Sequence, residues 1–297
     1  MVPDPVGLAQ VSPQLQTSWD WRAAGNFICG GTGTGLFVAT ILAGMMAPVF
    51  WPALFIALAL VGTGLFCVWL EIGRPWRFLN VFRQPARSWM SREAIIALPF
   101  FALGGLAWLL HSPLLGILAA LLALLFVYAQ GRILRAAKGI PAWRQKEIVP
   151  VIIATGLTEG AGLFVVIAVL AGYSRLDLQL FGAALFVLVA ARFVLWRQYR
   201  RALGAGGAPA ATLSVLDRLN LGYSGASQTL LLALTLTSLV SPPLLIVAGL
   251  MAVATGWGFK FALVTKAAFN QGFSIERMPA RGAGMSAPGI KPGWTAQ

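Results

Sequence analysis

Three carboxylates stand where a lipid bilayer would make them costly. Glu71 and Glu93 frame the stretch LEIGRPWRFLNVFRQPARSWMSRE, which runs from Leu70 to Glu93, and Glu159 lies inside a long apolar run. The Leu70–Glu93 stretch also carries Arg74, Arg77, Arg83, Arg87 and Arg92, in a chain that is only 10% charged. Charge gathered at the rim of a greasy segment either orients the chain in a membrane or builds a site.

Glu93 follows Ser91 at the start of an apolar run. Two accounts stand level. A serine N-cap would place an acidic residue at the positive end of a helix. Alternatively, the carboxylate is a proton acceptor at the membrane rim. A quinol loses protons as it gives up electrons and a quinone gains them, so a carboxylate at the end of an apolar cleft suits either direction. Glu71 and Arg74 are three apart and share one helix face, as a rim ion pair or as part of the same cleft. Asn26 and Tyr128 lie near the same-side ends of the first and fourth apolar runs. Each could hydrogen-bond a quinone carbonyl or cap a helix. Trp69, Trp76, Trp89, Phe78 and Phe82 read as an interfacial aromatic belt.

Glu159 falls about 12 residues into its run, roughly 18 Å from the end, near the bilayer middle. An ionised carboxylate there costs on the order of 3 kcal/mol, so it is expected to face other helices and to be paired or protonated. The readings are a proton relay or ligand contact, or a carboxyl bonded to Thr155 or a neighbouring helix. Arg192 and Lys260 are expected to snorkel or to pair, Lys260 being a candidate partner for Glu159. His111 is the one histidine and reads as a loop residue; Cys29 and Cys67 are the two cysteines and read as small buried hydrophobes. So few thiols and imidazoles argue against an iron–sulfur cluster, a structural zinc or a haem held by paired histidines, and no metal site is expected.

The elements that must position these residues are membrane helices. The chain has 297 residues, 58% of them hydrophobic, with a mean hydropathy of +0.79. Long apolar runs, rather than short alternating ones, indicate an all-α integral membrane protein. Eight spans are predicted: about Ala24 to Met46, Pro52 to Ile72, Ser91 to His111, Pro113 to Ala137, Lys146 to Ala171, Leu178 to Arg201, Leu213 to Val240 and Pro242 to Asn270. Gly73 with Pro75, and Gly139 with Pro141, are stop signals. The expected organisation is an N-terminal segment 1–23, a four-helix bundle over 24–138 that holds the candidate site, a second four-helix bundle over 139–271, and a flexible tail 272–297. The first residues lack the basic start and short apolar core of a cleaved signal peptide. Small residues recur in GTGLFVATIL from Gly33 and GAGLFVVIAVL from Gly160, four spans apart, the pattern of a parallel repeat or of close helix packing.

With eight spans, both termini and the even-numbered connections share one side. That side takes all but one of the 22 Lys and Arg residues, Arg175 being the exception, if basic residues inside helix ends snorkel outward. The positive-inside rule then predicts cytoplasmic termini and cytoplasmic basic loops. The net charge of +13 is thereby read as membrane orientation rather than nucleic-acid binding.

The motif Glu71-Ile-Gly-Arg-Pro-Trp-Arg-Phe-Leu-Asn80, followed by Ser88-Trp-Met-Ser-Arg-Glu93, resembles the membrane-anchor subunit of dimethyl sulfoxide reductase, a family grouped with polysulfide-reductase and nitrite-reductase membrane subunits. The eight-span plan and the Lys260-to-Asn270 helix with its Pro279-Ala-Arg-Gly282 tail share the resemblance. It implies a haem-free, multi-pass anchor of a bacterial inner membrane that binds menaquinone or ubiquinone. It also implies electron exchange with a four-cluster iron–sulfur subunit that serves a molybdopterin catalytic subunit holding molybdenum or tungsten. By position Glu93 matches the family's quinol-site carboxylate, with Ser91 and Arg92 beside it, and Gly73, Arg74 and Pro75 match its helix-end motif. Glu71 departs from relatives that often carry histidine there. Within the family the chain looks most like anchors of phenylacetyl-CoA:acceptor oxidoreductase, and a cytoplasmic partner of that kind would agree with the charge count. The competing expectation, from Glu159 and the repeat, is a secondary transporter or proton-translocating module.

Overall fold

A computed structural model describes residues 8–10, 12–49, 51–72, 75–219, 226–237, 241, 243–271 and 273–275. Within them run α1 (Trp21–Ala43), α2 (Trp51–Glu71), a 3-10 helix (Pro75–Arg83), α3 (Trp89–Leu110), α4 (Pro113–Ala136), the short α5 (Pro141–Arg144), α6 (Ile148–Leu170), α7 (Arg175–Ala205), α8 (Ala210–Leu219), α9 (Ala226–Thr237) and α10 (Pro243–Thr265). Among the described residues, seven helices are long and apolar enough to cross a membrane: α1, α2, α3, α4, α6, α7 and α10. The chain is an all-α integral membrane protein. The span expected over Leu213 to Val240 is found as α8 and α9, on either side of 220–225, which lie outside the described residues. Gly73 and Arg74 lie outside them too.

Local chemistry accounts for the helix starts. Asp20, Ser88, Ser112 and Ser174 each turn a side-chain oxygen to a backbone N–H of the helix that follows. This corrects the expected start of α3. The cap is Ser88 rather than a residue near Ser91, so α3 begins at Trp89 and Glu93 falls in its second turn. The N-cap account of Glu93 therefore fails, because the favourable field is confined to the first turn. His111 ends α3 in the left-handed conformation, with φ of 50°.

Helices α1 and α6 form the centre of the molecule. Their apolar windows are 78% and 72% buried, against 28% for α2 and for α3, which turn outward. The centre is tight because glycine faces glycine. A Cβ on Gly35 would strike the Gly156 carbonyl, and one on Gly160 would strike the backbone of Gly35 and Leu36. The pairing of Gly31 and Gly35 with Gly156 and Gly160 shows that α1 and α6 run parallel. It is the small-xxx-small crossing by which membrane helices approach closely. Helix α4 packs on both α1 and α6, so the two expected halves meet along a shared interface. Helix α10 lies against α6 and α1, and α9 lies between α7 and α10.

Two further ties lie at the periphery. Leu8–Gln10 pairs antiparallel with Phe273–Ile275, which brings the segment after α10 back to the N-terminal one; 276–297 lie outside the described residues. Arg200, late in α7, donates to both carboxylate oxygens of Asp217 in α8 at 2.7 Å, joining the two helices.

The crossing makes a direct prediction. Gly35→Leu or Gly160→Leu forces backbone apart and is expected to lower the melting temperature in detergent by several degrees or to abolish folded yield, overpacking costing about 1–3 kcal/mol or more. Gly105→Leu, where a Cβ would meet nothing within 4 Å, serves as the control and is expected to melt like the parent.

Candidate functional site

Between α2, the 3-10 helix and α3 lies a cleft of about 370 Å³. Leu65, Phe66, Trp69 and Ile72 line one wall, Phe78, Val81 and Phe82 the second, and Met90, Glu93, Ala94, Ala97, Leu98 and Phe101 the third. Phe66, Trp69, Phe78 and Leu98 are exposed, so the opening faces outward between α2 and α3, toward lipid. Glu93 is the one ionisable residue among the described lining residues. It is nevertheless buried, 4% exposed.

Two amides stand behind that carboxylate. Asn26 of α1 donates from Nδ2 to Glu93 Oε1 at 3.3 Å. Gln130 of α4 donates from Nε2 to the Asn26 carbonyl at 2.9 Å, and its amide also faces Glu93. Both amides are buried. Glycine again makes the room: a Cβ on Gly30 would fall on the Gln130 side-chain nitrogen. A carboxylate with an apolar cleft on one side and fixed amide donors on the other can exchange a proton with a molecule in the cleft.

The structure brings together only part of the expected set. Asn26 and Glu93 meet. Ser91 is buried, its N–H donating to Ser88 Oγ at 3.3 Å, and it does not line the cleft. Arg92 donates to the carbonyls of Pro85 and Ala86 at 2.7 and 3.0 Å and lies over the Trp89 ring, so it ties down the loop. Tyr128 accepts from Arg132 at 2.6 Å and meets Trp89 edge-on, also outside the lining. Glu71 is near Asp20 and Arg22, and Arg22 donates to the Leu70 carbonyl at 3.0 Å, so the charge beside Glu71 is on α1. Arg74 lies outside the described residues. Gln130 escaped the sequence reading; its signal is an amide late in a helix otherwise built of Leu and Ala.

A second polar centre surrounds Glu159. Its Oε2 accepts from Lys260 Nζ at 2.6 Å and from Thr32 Oγ1 at 2.8 Å. Trp257 Nε1 donates to the same threonine hydroxyl at 2.9 Å. Thr155 instead donates to the Val151 carbonyl at 2.7 Å, so it is not the partner of Glu159. Arg192 is held by Gln228 Oε1, the Ala252 carbonyl and Thr255 Oγ1 at 3.2, 3.1 and 2.8 Å. Lys260 and Arg192 are 0% and 4% exposed. They do not snorkel, and the one-sided charge count loses both of them to the interior. Thr32 and Glu159 also occupy corresponding places in the repeated segments, which run as the unbroken helices α1 and α6.

A family model described as DMSO reductase anchor subunit (DmsC) matches residues 27–221. No curated protein matches the chain. The matched residues contain Glu93, Gln130 and Glu159, with Lys260 beyond them.

Removing one member of a buried ion pair strands the other charge. Lys260→Met is expected to destabilise the protein by about 3–5 kcal/mol, and Glu159→Gln added to it is expected to recover most of that loss. Denaturant unfolding of the single and double variants in detergent measures both.

Proposed function

The chain belongs to the DMSO reductase anchor subunit family, and on that premise we propose that it is the quinone-reactive membrane subunit of an oxidoreductase complex of that type. One observation carries this reading: a buried carboxylate, Glu93, forms part of the wall of an apolar cleft that faces lipid. The family supports a membrane anchor for catalytic and iron–sulfur subunits. Quinone chemistry at Glu93 is the further step.

The head group of a menaquinone or ubiquinone enters between α2 and α3 and lies among Phe66, Trp69, Phe78 and Phe101, while its isoprenoid tail stays in lipid. An aromatic, mostly apolar wall with a single ionisable group suits a flat, uncharged ring. Glu93 takes a proton from a quinol hydroxyl as electrons leave, or returns one to a quinone carbonyl as they arrive. Asn26 and Gln130 fix the carboxylate toward the ring, so that little reorganisation accompanies the transfer. Electrons pass to or from an iron–sulfur partner seated on the face that bears the 3-10 helix, where Arg77, Arg83 and Arg87 are exposed. We place that face, with both termini, in the cytoplasm of a bacterial inner membrane, because the basic loops gather there. A partner acting on a CoA thioester would be cytoplasmic and fits that side. A transporter would be expected to use half-helices broken at a midplane site, and the continuity of α1 and α6 favours the anchor reading over it.

Glu93→Gln keeps the shape and removes the titrating group. Quinone-linked turnover of the purified complex should fall about 100-fold or more, while the variant still co-purifies with its soluble partners. Turnover at the parental rate would remove Glu93 from the mechanism. Leu98→Trp narrows the mouth of the cleft and should raise the KM for quinone at least fivefold. A reporter enzyme active only in the cytoplasm should be active when fused to the C-terminus; inactivity there would reverse the proposed orientation.

A further inference from the structure

We propose that Glu93 is linked around helix α1 to the buried Glu159–Lys260 pair by a short path of bound water, and that this pair exchanges one of the protons of the quinone reaction. The proposal rests on the quinone reading of the cleft.

Four observations support the link. First, the two polar centres share α1: Asn26 serves Glu93, and Thr32, six residues or about 9 Å further along the helix, serves Glu159. Second, the centres touch consecutive residues of α1. A Cβ on Gly30 would fall on the Gln130 amide, and one on Gly31 would fall on Lys260 Nζ. The end of the Glu93 centre and the cation of the Glu159 centre are thus neighbours on the surface of one helix. Third, three buried side-chain acceptors lack a protein donor: Asn26 Oδ1, Gln130 Oε1 and Glu159 Oε1. Among the described residues these are the only such atoms, two of them in the Glu93 centre and one in the Glu159 centre. Buried acceptors of this kind are the usual places for bound water. Fourth, Gly256 lies one helical turn before Lys260 on α10, and a Cβ there would strike the Glu159 carboxyl, so the absent side chain is what lets that carboxyl sit against the lysine.

The charges suggest which proton moves. Arg192 stands near enough to act on the pair electrostatically. With Glu159, Lys260 and Arg192 all ionised, the network carries one excess positive charge; with Lys260 as the free amine it is neutral. Both forms keep the carboxylate bonded to Thr32, so the proton on Lys260 is the exchangeable one. When a quinol is oxidised, two electrons pass to the iron–sulfur partner and two protons leave the hydroxyls. Glu93 accepts a proton and must be emptied before it takes another. The path through the Asn26 and Gln130 acceptors carries that proton to Lys260, which holds it as the ammonium while Glu93 takes the second. Once Glu93 has released that second proton toward the loop face, Lys260 hands its own back along the same path and returns to the free amine, so that both protons leave through Glu93 and the pair is reset. Quinone reduction runs the same transfers backwards: the Lys260 ammonium supplies a proton that reloads Glu93. Gln130 is on this view a positioning residue.

The test uses the intact complex with a soluble quinol analogue, comparing Gln130→Leu and the double variant Glu159→Gln/Lys260→Met with the parent and with Glu93→Gln. In both test variants kcat should fall at least tenfold with KM changed less than twofold, and the solvent deuterium isotope effect on kcat should rise above that of the parent. Parental kcat and isotope effect in both, beside an inactive Glu93→Gln, would overturn the path and leave the quinone site standing. A fully active Glu93→Gln would instead overturn the quinone reading and the path with it. Should the variants fail to assemble, the parental complex decides: kcat in mixed H2O and D2O should follow a bowed curve, as when several protons move together. A straight line would overturn the path.

Discussion

The contact on which the structure depends is the one between the backbones of α1 and α6. Lipid gives apolar helices no hydrophobic reason to associate, so close packing and internal polar contacts must hold them together. Gly31, Gly35, Gly156 and Gly160 remove every side chain from the crossing and let carbonyl and Cα atoms meet. Around this pair the rest is arranged: α4 packs on both, α10 lies along α6, and α2 and α3 form the outer wall with their lipid-facing surfaces exposed. Close approach has a second consequence. It brings the polar side chains on the flanks of α1 within hydrogen-bonding distance of those on α3, α6 and α10.

The two polar centres follow from that geometry. One, with Glu93, is open to lipid through the cleft, and the other, with Glu159 and Lys260, is buried among α1, α6 and α10. A carboxylate beside an apolar cleft suits exchange with a membrane-soluble substrate. A carboxylate sealed against an ammonium suits either architecture or proton storage. Burying an ion pair is rarely the most stabilising choice, since apolar residues of similar volume often do as well. That a lysine and an arginine are both buried at the depth of Glu159 is therefore more informative than one pair alone. The amides between the centres, Asn26 and Gln130, each leave an oxygen without a protein donor.

The loop between α2 and α3 divides into parts with different physical duties. Arg92 is spent on loop carbonyls and the Trp89 face, and Arg22 holds the end of α2 from the start of α1. Arg77, Arg83 and Arg87 remain exposed and define a basic face. The 3-10 helix presents Trp76, 83% exposed, on the outside and Phe78, Val81 and Phe82 to the cleft. One short segment thereby walls one side of the cleft and turns a basic, aromatic face outward.

Composition alone determined the class: no soluble chain sustains this hydropathy, and seven of the expected spans appear within a few residues of their expected limits. Asn26 and Glu93 were also legible, because a polar side chain at the edge of an apolar run must be accounted for. The partners were not. Thr155 is closer in sequence to Glu159 than Lys260 is, yet Lys260 holds it. Tyr128 stood out as a possible quinone contact and Gln130 did not, yet it is Gln130 that turns toward Glu93. In a soluble helix the apolar stripe reveals which face turns inward. In a membrane helix both faces are apolar, so the rotation about the helix axis leaves little trace in the pattern. It is decided by which small residues let two backbones meet, and that is a property of pairs of helices, which only the tertiary structure supplies.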